Sequence, residues 1–211
     1  LLRSFMKYGY TELQGCNSFW ELVAMGQQFG LPTRLLDWTY SPLVAAHFAT
    51  EDIDYYDRDG VIWCVNIEDV NANLPPSLRQ KLSEQRADIF TRDILEDVAH
   101  NFTSLQALSD QPFALFFEPA STVNRIANQY ALFSAVSDPA VTLLDLPESE
   151  CFVRLIISKK AKLEIRDKLD YINISERMIY PGLDGICRWI ARRYAPLGPR
   201  YNAEHAKEEQ P

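Results

Sequence analysis

Residues 27–50 read QQFGLPTRLLDWTYSPLVAAHFAT, and this stretch says most about the fold. Gly30 and Pro32 punctuate the backbone, because glycine tolerates positive φ whereas proline fixes φ and removes a hydrogen-bond donor. Ser41 suits a helix N-cap, and Pro42 suits the first helical position after it. Small and apolar side chains follow to the end of the stretch. The pattern predicts a preorganised loop that leads onto a buried helix.

The rest of the chain mixes strand and helix patterns. Runs of β-branched and aromatic residues bounded by turn residues predict strands near residues 61–67, 113–117, 130–136 and 151–157. Helical spacing predicts helices up to Gly9, from Ser18 to Gly30, over residues 77–101 and 159–169, in a short segment capped by Ser121, and over residues 183–193. Strands and helices do not alternate regularly, so a doubly wound parallel sheet is not expected.

These elements predict an α+β fold in a single domain, with a small mixed or mostly antiparallel sheet flanked by helices. We place that domain at residues 1–193. Residues 194–211 are Pro-rich and then charged, without a core pattern, and are expected to form a polar C-terminal tail.

Composition narrows the classes of function. A net charge of −8 argues against general nucleic-acid binding, because phosphates call for an excess of Lys and Arg. No apolar run approaches the length of a membrane span, and no signal peptide is evident. The four cysteines stand apart from one another without metal-ligand spacing, and Cys64 and Cys151 are expected to be small buried residues. We therefore expect a cytoplasmic protein that needs no metal and does not bind membranes.

Arg34 and Asp37 bracket two leucines, so two opposite charges sit in an otherwise apolar segment. Buried charges are costly unless they are paired, so the two residues predict either an internal tie or a ligand site. Arg34 offers a planar fork suited to phosphate or carboxylate. Thr33 and Thr39 add hydroxyls, although threonine at such positions also serves turns and caps. We predict that these four residues and Gln129 converge on one polar pocket.

Three further residues each have a functional and a structural interpretation. Gln129 enters a predicted strand from a polar loop, so its amide either meets a ligand or satisfies backbone groups of the 27–39 loop. Glu118 ends a strand before proline, which suits a general base, an acceptor for a nucleotide hydroxyl or an ordinary exposed carboxylate. His47 lies in an apolar helix, where a packing role is expected before a catalytic one. The residues alone predict a soluble intracellular domain with a polar loop site.

The string PTRLLDWT at residues 32–39, with SPLVAA after it, resembles the core signature of the FRG domain family, which is named for a Phe/Tyr-Arg-Gly motif. RIANQYALFS at residues 125–134 and ERMIYPGLDGICRWI at residues 176–190 agree with it in the expected order, so the resemblance covers residues 1–193. The family pattern commonly has His where this chain has Gln28, which joins the ligand-binding candidates. The name-giving motif is absent and is expected upstream of Leu1.

The layout of that family is similar in outline to ADP-ribosyltransferases. Those proteins place an arginine on an early strand, a Ser/Thr-bearing strand before a helix reading AxxFA, and a Glu or Gln near a later strand. The resemblance implies that residues 39–41 with residues 45–49 form the second element. Gln129 or Glu118 would be the third, catalytic element, and the arginine would lie in the absent motif.

On this interpretation Arg34 and its loop grip the diphosphate of NAD, and Trp38 or Tyr40 stacks on nicotinamide. The Glu or Gln side chain orients the ribose while an oxocarbenium-like centre develops. The resemblance thus implies an NAD-dependent ADP-ribosyltransferase-like or NAD-hydrolysing domain of a bacterial toxin or phage-defence protein. The alternative is a non-catalytic module that binds a ligand or a protein partner.

Overall fold

The computed structural model describes residues 1–120, 124–146 and 150–195. Its α-helices are α1 Leu2–Tyr8, α2 Phe19–Gln28, α3 Pro42–Thr50, α4 Ile67–Ala72, α5 Pro76–Gln85, α6 Arg92–Val98, α7 Phe102–Gln106, α8 Asn124–Asn128, α9 Lys162–Tyr171, α10 Glu176–Ile179 and α11 Leu183–Tyr194. Its strands are β1 Leu35–Thr39, β2 Gly60–Val65, β3 Phe90–Thr91, β4 Ala114–Glu118, β5 Ala131–Val136 and β6 Phe152–Ile157. The predicted α+β class is confirmed, and the sheets are small. The predicted cap at Ser121 and residues 196–211 of the predicted tail lie outside these ranges.

The contacts of the chain divide it into two compact units. The first contains Leu1–Trp38, Val65–Ile126 and Ala131–Phe152, and the second contains residues 39–64, 127–130 and the chain from residue 153 onward. Because the chain passes from one unit to the other several times, the division is consistent with the predicted single domain. Among the described residues, no helix is both long and apolar enough to span a membrane.

The first unit is built around a four-stranded mixed sheet in the order β1-β5-β4-β3. β3 runs parallel to β4, and β4 runs antiparallel to β5. The first four residues of β4 are all buried, because the sheet is covered on both faces. Leu115 and Phe117 pack into the large core around Trp20, whereas Phe116 packs with Val70 on the opposite face.

Two local predictions for this unit are wrong. Residues 35–39 form strand β1 and not a loop, since Leu35 enters the large core while Trp38 packs against the opposite cluster. The predicted helix over residues 77–101 is broken in the middle. Arg86 adopts a left-handed conformation with φ 52° and ends α5, after which the buried Phe90 is carried by strand β3.

The second unit combines the two-stranded sheet β2-β6 with helices α3, α9, α10 and α11. Ser41 caps α3 as predicted, since its hydroxyl accepts from the Val44 amide. Only part of α3 is buried, however, and its Phe48 is exposed. The prediction of a buried Cys64 is wrong as well, because the two-stranded sheet leaves this thiol exposed.

Gly185 sets how closely α10 and α11 approach each other. A Cβ atom at this position would lie 1.8 Å from the Tyr180 carbonyl oxygen and 2.4 Å from that of Glu176. Such distances are far shorter than van der Waals contact, so only glycine fits without movement of the backbone. The turn between the two helices is therefore fixed by this one residue.

Candidate functional site

In the first unit, the side-chain amide of Gln27 joins two of the predicted site residues. Thr33 Oγ1 donates to Gln27 Oε1 at 2.6 Å, and Gln27 Nε2 donates to Asp37 Oδ2 at 2.6 Å. An ionised carboxylate can only accept, so Nε2 must face Asp37, and this leaves Oε1 for the hydroxyl. Thr33 Oγ1 also accepts from the Leu35 amide. Thr33 and Asp37 are thus brought together, but by an internal bridge.

Asp37 is an exposed residue whose carboxyl group is nevertheless partly shielded from water. The residue keeps exposed surface, yet the protein atoms around the carboxyl displace water and raise its pKa above the ordinary value. The hydrogen bond from Gln27 and the charge of Arg125 act in the opposite direction. Asp37 is therefore a carboxyl that protonates more readily than a free one.

The side chain of Arg34 binds the backbone at the end of strand β5. Its Nη2 donates to the carbonyl oxygens of Val136 at 2.9 Å and Ser137 at 3.0 Å, and its guanidinium lies 4.3 Å from the ring centre of Phe102. Burial lowers its pKa, and the charge of Asp138 opposes that effect. Cation–π stacking and two carbonyl acceptors make this a structural anchor.

Arg34 and Asp37 do not form the ion pair that the sequence suggested. Among the described residues Arg34 binds only carbonyl oxygens and a ring, and Asp37 binds Gln27. Residues three apart on an extended chain project to opposite sides, which explains the separation. Both residues do make internal contacts, but each has its own partners: Arg34 binds Val136 and Ser137, and Asp37 binds Gln27.

Trp38 and Gln28 occupy buried surroundings in the same unit. The Trp38 ring packs against Phe116 and Phe152, and its indole N–H donates to Ser134 Oγ at 2.8 Å. Trp38 therefore has a packing role. Gln28 is 3% exposed, and its Nε2 has no hydrogen-bond partner within the part of the chain that the structure describes. Glu118, at the end of β4, is an exposed carboxylate of this unit.

In the second unit, the end of β1 meets the turn before β5. Thr39 Oγ1 donates to the Gln129 carbonyl oxygen at 2.7 Å, and the Tyr40 amide donates to the Tyr130 carbonyl oxygen at 3.1 Å. Tyr40 is 50% exposed and Tyr130 is 56% exposed. We call Thr39, Tyr40, Gln129 and Tyr130 the tyrosine site. It contains two of the five residues predicted to converge, together with the predicted stacking residue Tyr40.

Tyr130 has a left-handed backbone conformation with φ 49°. This region is unfavourable for a bulky aromatic residue, and such strain is concentrated at functional sites. No sequence pattern marks Tyr130, because the left-handed region favours glycine and asparagine. Tyr130 is therefore a candidate site residue that the sequence did not reveal.

The side chain of Gln129 is buried and hydrogen-bonded to the backbone of residue 179. It is 7% exposed, and its Nε2 donates to the Ile179 carbonyl oxygen at 3.3 Å. Its neighbour Asn128 donates to the Met178 carbonyl oxygen at 2.7 Å. The two amides together fix the segment that leads into Tyr180, so the Gln129 amide is preorganised.

A second polar feature of this unit is a chain of contacting ionisable side chains, from the fully buried His47 to the half-buried Glu51, which we call the charge network. Its members in order of contact are Asp170, Arg192, Glu176, Arg166, His47 and Glu51. Arg166 lies at its centre, donating to Glu176 Oε1 at 3.0 Å and to His47 Nδ1 at 2.8 Å. Burial lowers the pKa of Arg166, the charge of Glu176 opposes this, and that of Arg192 reinforces it.

The charge network borders an open cleft of about 370 Å³ whose lining includes Glu51, Glu176, Arg188 and Arg192. Each of these charges already has a protein partner, since Tyr180 donates to Glu51 and Arg188 pairs with Asp184. The predicted packing role of His47 agrees with its complete burial. Two pairs of the network, His47 with Glu51 and Arg166 with Asp170, stand four residues apart in the sequence, which is the spacing of neighbours on a helix.

The first unit has a smaller cavity of about 240 Å³, lined by Cys16, Glu21, Met25 and Pro119 among others. Burial raises the pKa of the Cys16 thiol, and the charge of Glu21 adds to this. A thiol with a raised pKa is a poor nucleophile at neutral pH. Among the described residues, no group of three or more His, Cys, Asp and Glu side chains is placed to hold a metal ion.

Comparison with known families adds one finding. The model of the FRG domain matches residues 1–58, which contain α1, α2, β1, α3 and the signature at residues 32–39. This part of the chain is therefore similar to the FRG domain. The later stretches at residues 125–134 and 176–190 lie outside the match, so their part in the resemblance stays a prediction. Neither the curated proteins nor the solved structures include a significant match to the chain.

Proposed function

We propose that the tyrosine site binds NAD and supports ADP-ribosyl transfer or NAD hydrolysis. The observation that supports this is the hydrogen bond from Thr39 Oγ1 to the Gln129 carbonyl oxygen. The FRG domain is interpreted as similar to ADP-ribosyltransferases. This similarity requires a Ser/Thr-bearing strand beside an element that carries Glu or Gln. β1 ends at Thr39, α3 begins at Pro42, and Gln129 lies next to this junction.

The four residues have distinct roles in this proposal. Tyr40 and Tyr130 offer exposed rings on which nicotinamide or adenine stacks. The Gln129 amide, held through its Nε2, orients the ribose with Oε1. Arg34 is left out of the site because its Nη2 binds the carbonyl oxygens of Val136 and Ser137. The diphosphate therefore needs a cation that is not yet assigned.

The chemistry is a substitution at C1′ of the ribose. The bond between C1′ and the nicotinamide nitrogen breaks, and nicotinamide leaves with the electron pair. The oxocarbenium-like centre that develops is stabilised by nearby dipoles such as the side-chain carbonyl of Gln129. Water or an acceptor side chain then adds to C1′ and loses a proton. A glutamine cannot take that proton, so the site favours slow turnover or an acceptor that supplies its own base.

The second candidate is a non-catalytic module that binds a nucleotide or a protein partner. It is favoured by a specific observation: the Thr39 hydroxyl and the Gln129 amide are both engaged in internal hydrogen bonds. In this case the two tyrosines form a recognition surface without chemistry. A setting in a bacterial toxin or phage-defence protein stays a prediction for either candidate.

The test is calorimetric titration of the full chain with NAD, followed by an assay for released nicotinamide. Tyr40→Ala and Tyr130→Ala should each weaken NAD binding at least tenfold, because each removes a stacking surface. Tyr171→Ala is the matched control, since Tyr171 is an exposed tyrosine of the same unit outside the site. Its NAD affinity should be unchanged.

Gln129→Ala separates catalysis from binding. It should lower nicotinamide release more than NAD affinity. Asn128→Ala, which loses a similar bond to the same segment but keeps the Gln129 side chain, should lower release less. No binding at millimolar NAD would overturn the NAD proposal and leave the protein-interaction module. Binding without nicotinamide release would identify a nucleotide-binding module.

A further inference from the structure

Two arginines of the second unit stack on the same tryptophan ring. The guanidinium carbon of Arg177 lies 4.8 Å from the ring centre of Trp189, and that of Arg193 lies 4.3 Å from it. Arg177 belongs to α10, whereas Trp189 and Arg193 belong to α11. We call these three residues the arginine stack. Two cations on one ring repel each other, and a bound anion would offset that repulsion.

Neither arginine of the stack has a carboxylate partner among the described residues. In contrast, Arg188 of the same helix pairs with Asp184, and Arg192 pairs with Asp170 and Glu176. Stacking uses the flat face of a guanidinium group and leaves the N–H donors in its plane available. Within the described ranges, the arginine stack therefore presents two charges that no carboxylate neutralises.

The backbone that carries the stack is fixed on both sides. Gly185 allows α10 and α11 to approach closely, and the Asn128 side chain donates to the carbonyl oxygen of Met178, the residue after Arg177. The Trp189 ring is partly buried, while both arginines are exposed. Groups that are held in place before binding lose less conformational freedom when a ligand arrives. The two cations are therefore preorganised for a ligand.

We propose that Arg177 and Arg193 bind the phosphate group of a small-molecule ligand. The planar fork of arginine matches pairs of phosphate oxygens, and hydrogen bonds between charged groups are the strong ones. Because both guanidinium groups contact one ring, they are close enough to bind the same phosphate or diphosphate group. Two cations are few for nucleic acid in a chain with a net charge of −8, so a small ligand is favoured. The arginine stack binds phosphate whether or not the tyrosine site binds NAD.

Isothermal titration calorimetry of the full chain with inorganic pyrophosphate, at low ionic strength, tests the site. Arg177→Gln and Arg193→Gln should each weaken binding at least tenfold, because each removes one fork and one charge. Arg154→Gln is the matched control and should leave the affinity unchanged, since Arg154 is an exposed arginine of the same unit outside the stack. No binding at millimolar pyrophosphate, or equal effects of the three variants, overturns the proposal.

Two further variants separate the arginine stack from a general attraction by positive charge. Arg177→Lys keeps the charge but loses the planar fork, so it should bind pyrophosphate severalfold more weakly than the original chain. Trp189→Leu removes the ring that holds both arginines and should also weaken binding. Thermal unfolding measures the stability of each variant separately. A stack that serves only the fold would lower the Tm without changing the affinity for pyrophosphate, and that result overturns the proposal.

Two more titrations identify the source of the phosphate group. ADP and a short phosphoserine peptide carry the same chemistry, and a small-molecule site should bind ADP more tightly than the peptide. Binding of the peptide alone overturns the small-molecule ligand in favour of a phosphorylated partner.

The last variant tests competition by the chain itself. Residues 196–211 include three glutamates, Glu204, Glu208 and Glu209. Replacing all three with Gln should leave the affinity for pyrophosphate unchanged. A gain of tenfold or more would show that this segment fills the site, and it overturns a site that is open to ligands.

Discussion

Arg166 Nη1 lies 2.8 Å from His47 Nδ1, and both side chains are buried. A guanidinium can only donate, so Nδ1 must accept, and the imidazole proton then sits on Nε2, 3.3 Å from Glu51 Oε2. This one contact fixes the tautomer of the histidine and joins α3 to α9. Its removal is the most direct test of what stabilises the second unit.

Arg166→Met should be strongly destabilising. It leaves His47 without its donor and removes one of the two arginines from buried Glu176, and breaking a buried pair costs about 3–5 kcal/mol. Urea unfolding at neutral pH measures the loss. Lys168→Met, which breaks only the exposed pair with Glu164, should change the free energy of unfolding little. Equal effects of the two variants would contradict a stabilising network.

Stability should fall in acid partly through Glu176. Burial alone would raise the pKa of this carboxyl, but the hydrogen bond from Arg192 and the charge of Arg166 outweigh burial and hold the pKa below its ordinary value. The stabilisation is fully present above the unfolded-state pKa of about 4.3 and is lost as the pH falls through the folded-state pKa. Glu176→Gln should therefore flatten the dependence of the unfolding free energy on pH below about pH 5. An unchanged dependence would show that other carboxyls carry it.

Arg34 and Asp37 should behave independently in a double-mutant cycle. Arg34→Ala removes two bonds to carbonyl oxygens and should cost about 1–3 kcal/mol, whereas Asp37→Ala removes the bond to Gln27. Since the two share no partner, their effects should add within about 0.5 kcal/mol. Thermal or urea unfolding of both single variants and the double variant gives the coupling. A coupling energy above about 1 kcal/mol would indicate that the two side chains interact directly, as the sequence suggested.

Gly185→Ala should disrupt the junction of α10 and α11. The added Cβ meets backbone carbonyl oxygens, which cannot rotate away, so we expect a loss of about 1–3 kcal/mol or more. Gly26→Ala is the matched control, because its Cβ would meet only the flexible end of the Leu31 side chain at 2.8 Å. Differential scanning calorimetry should show a clearly larger drop in Tm for Gly185→Ala. The reverse order would mean that the turn before α11 is loosely packed.

Tyr130→Asn should separate stability from binding. Asparagine tolerates the left-handed conformation better than tyrosine does, so the variant should keep or slightly raise the Tm. It also removes an exposed ring, so NAD affinity should fall. A large loss of stability instead would show that the Tyr130 ring packs the fold and does not serve a ligand.

The strands with the clearest apolar patterns were predictable from the sequence. The elements that were predicted wrongly can be explained physically. β4 and β5 were located to within a residue, because runs such as ALFFE and ALFSAV are rich in apolar side chains. β1 was read as a loop because Gly30, Pro32 and two charges precede or interrupt it. Its pairing partner β5 lies about a hundred residues away, which local patterns cannot show.

The candidate site was predictable only in part. Thr39 and Gln129 were both singled out, and the structure places them in contact. Arg34 and Asp37 were interpreted as a pair, yet they have separate partners, because sequence spacing does not show which side of an extended chain a residue faces. The charge network was missed since its partners come from distant segments, and a buried Arg166 looks like an ordinary surface residue on a polar helix.

The contact between Arg166 and His47 also sets an order of events during synthesis. The two residues are 119 positions apart, so at roughly 5–20 residues per second Arg166 follows His47 from the ribosome by about 6–24 seconds. Throughout that interval the contacts of Val44 with Ile179 and of His47 with Arg166 cannot form. The nascent chain must keep this helix from aggregation until its last third arrives. Chaperone binding to the emerging 42–50 segment is the expected cellular consequence.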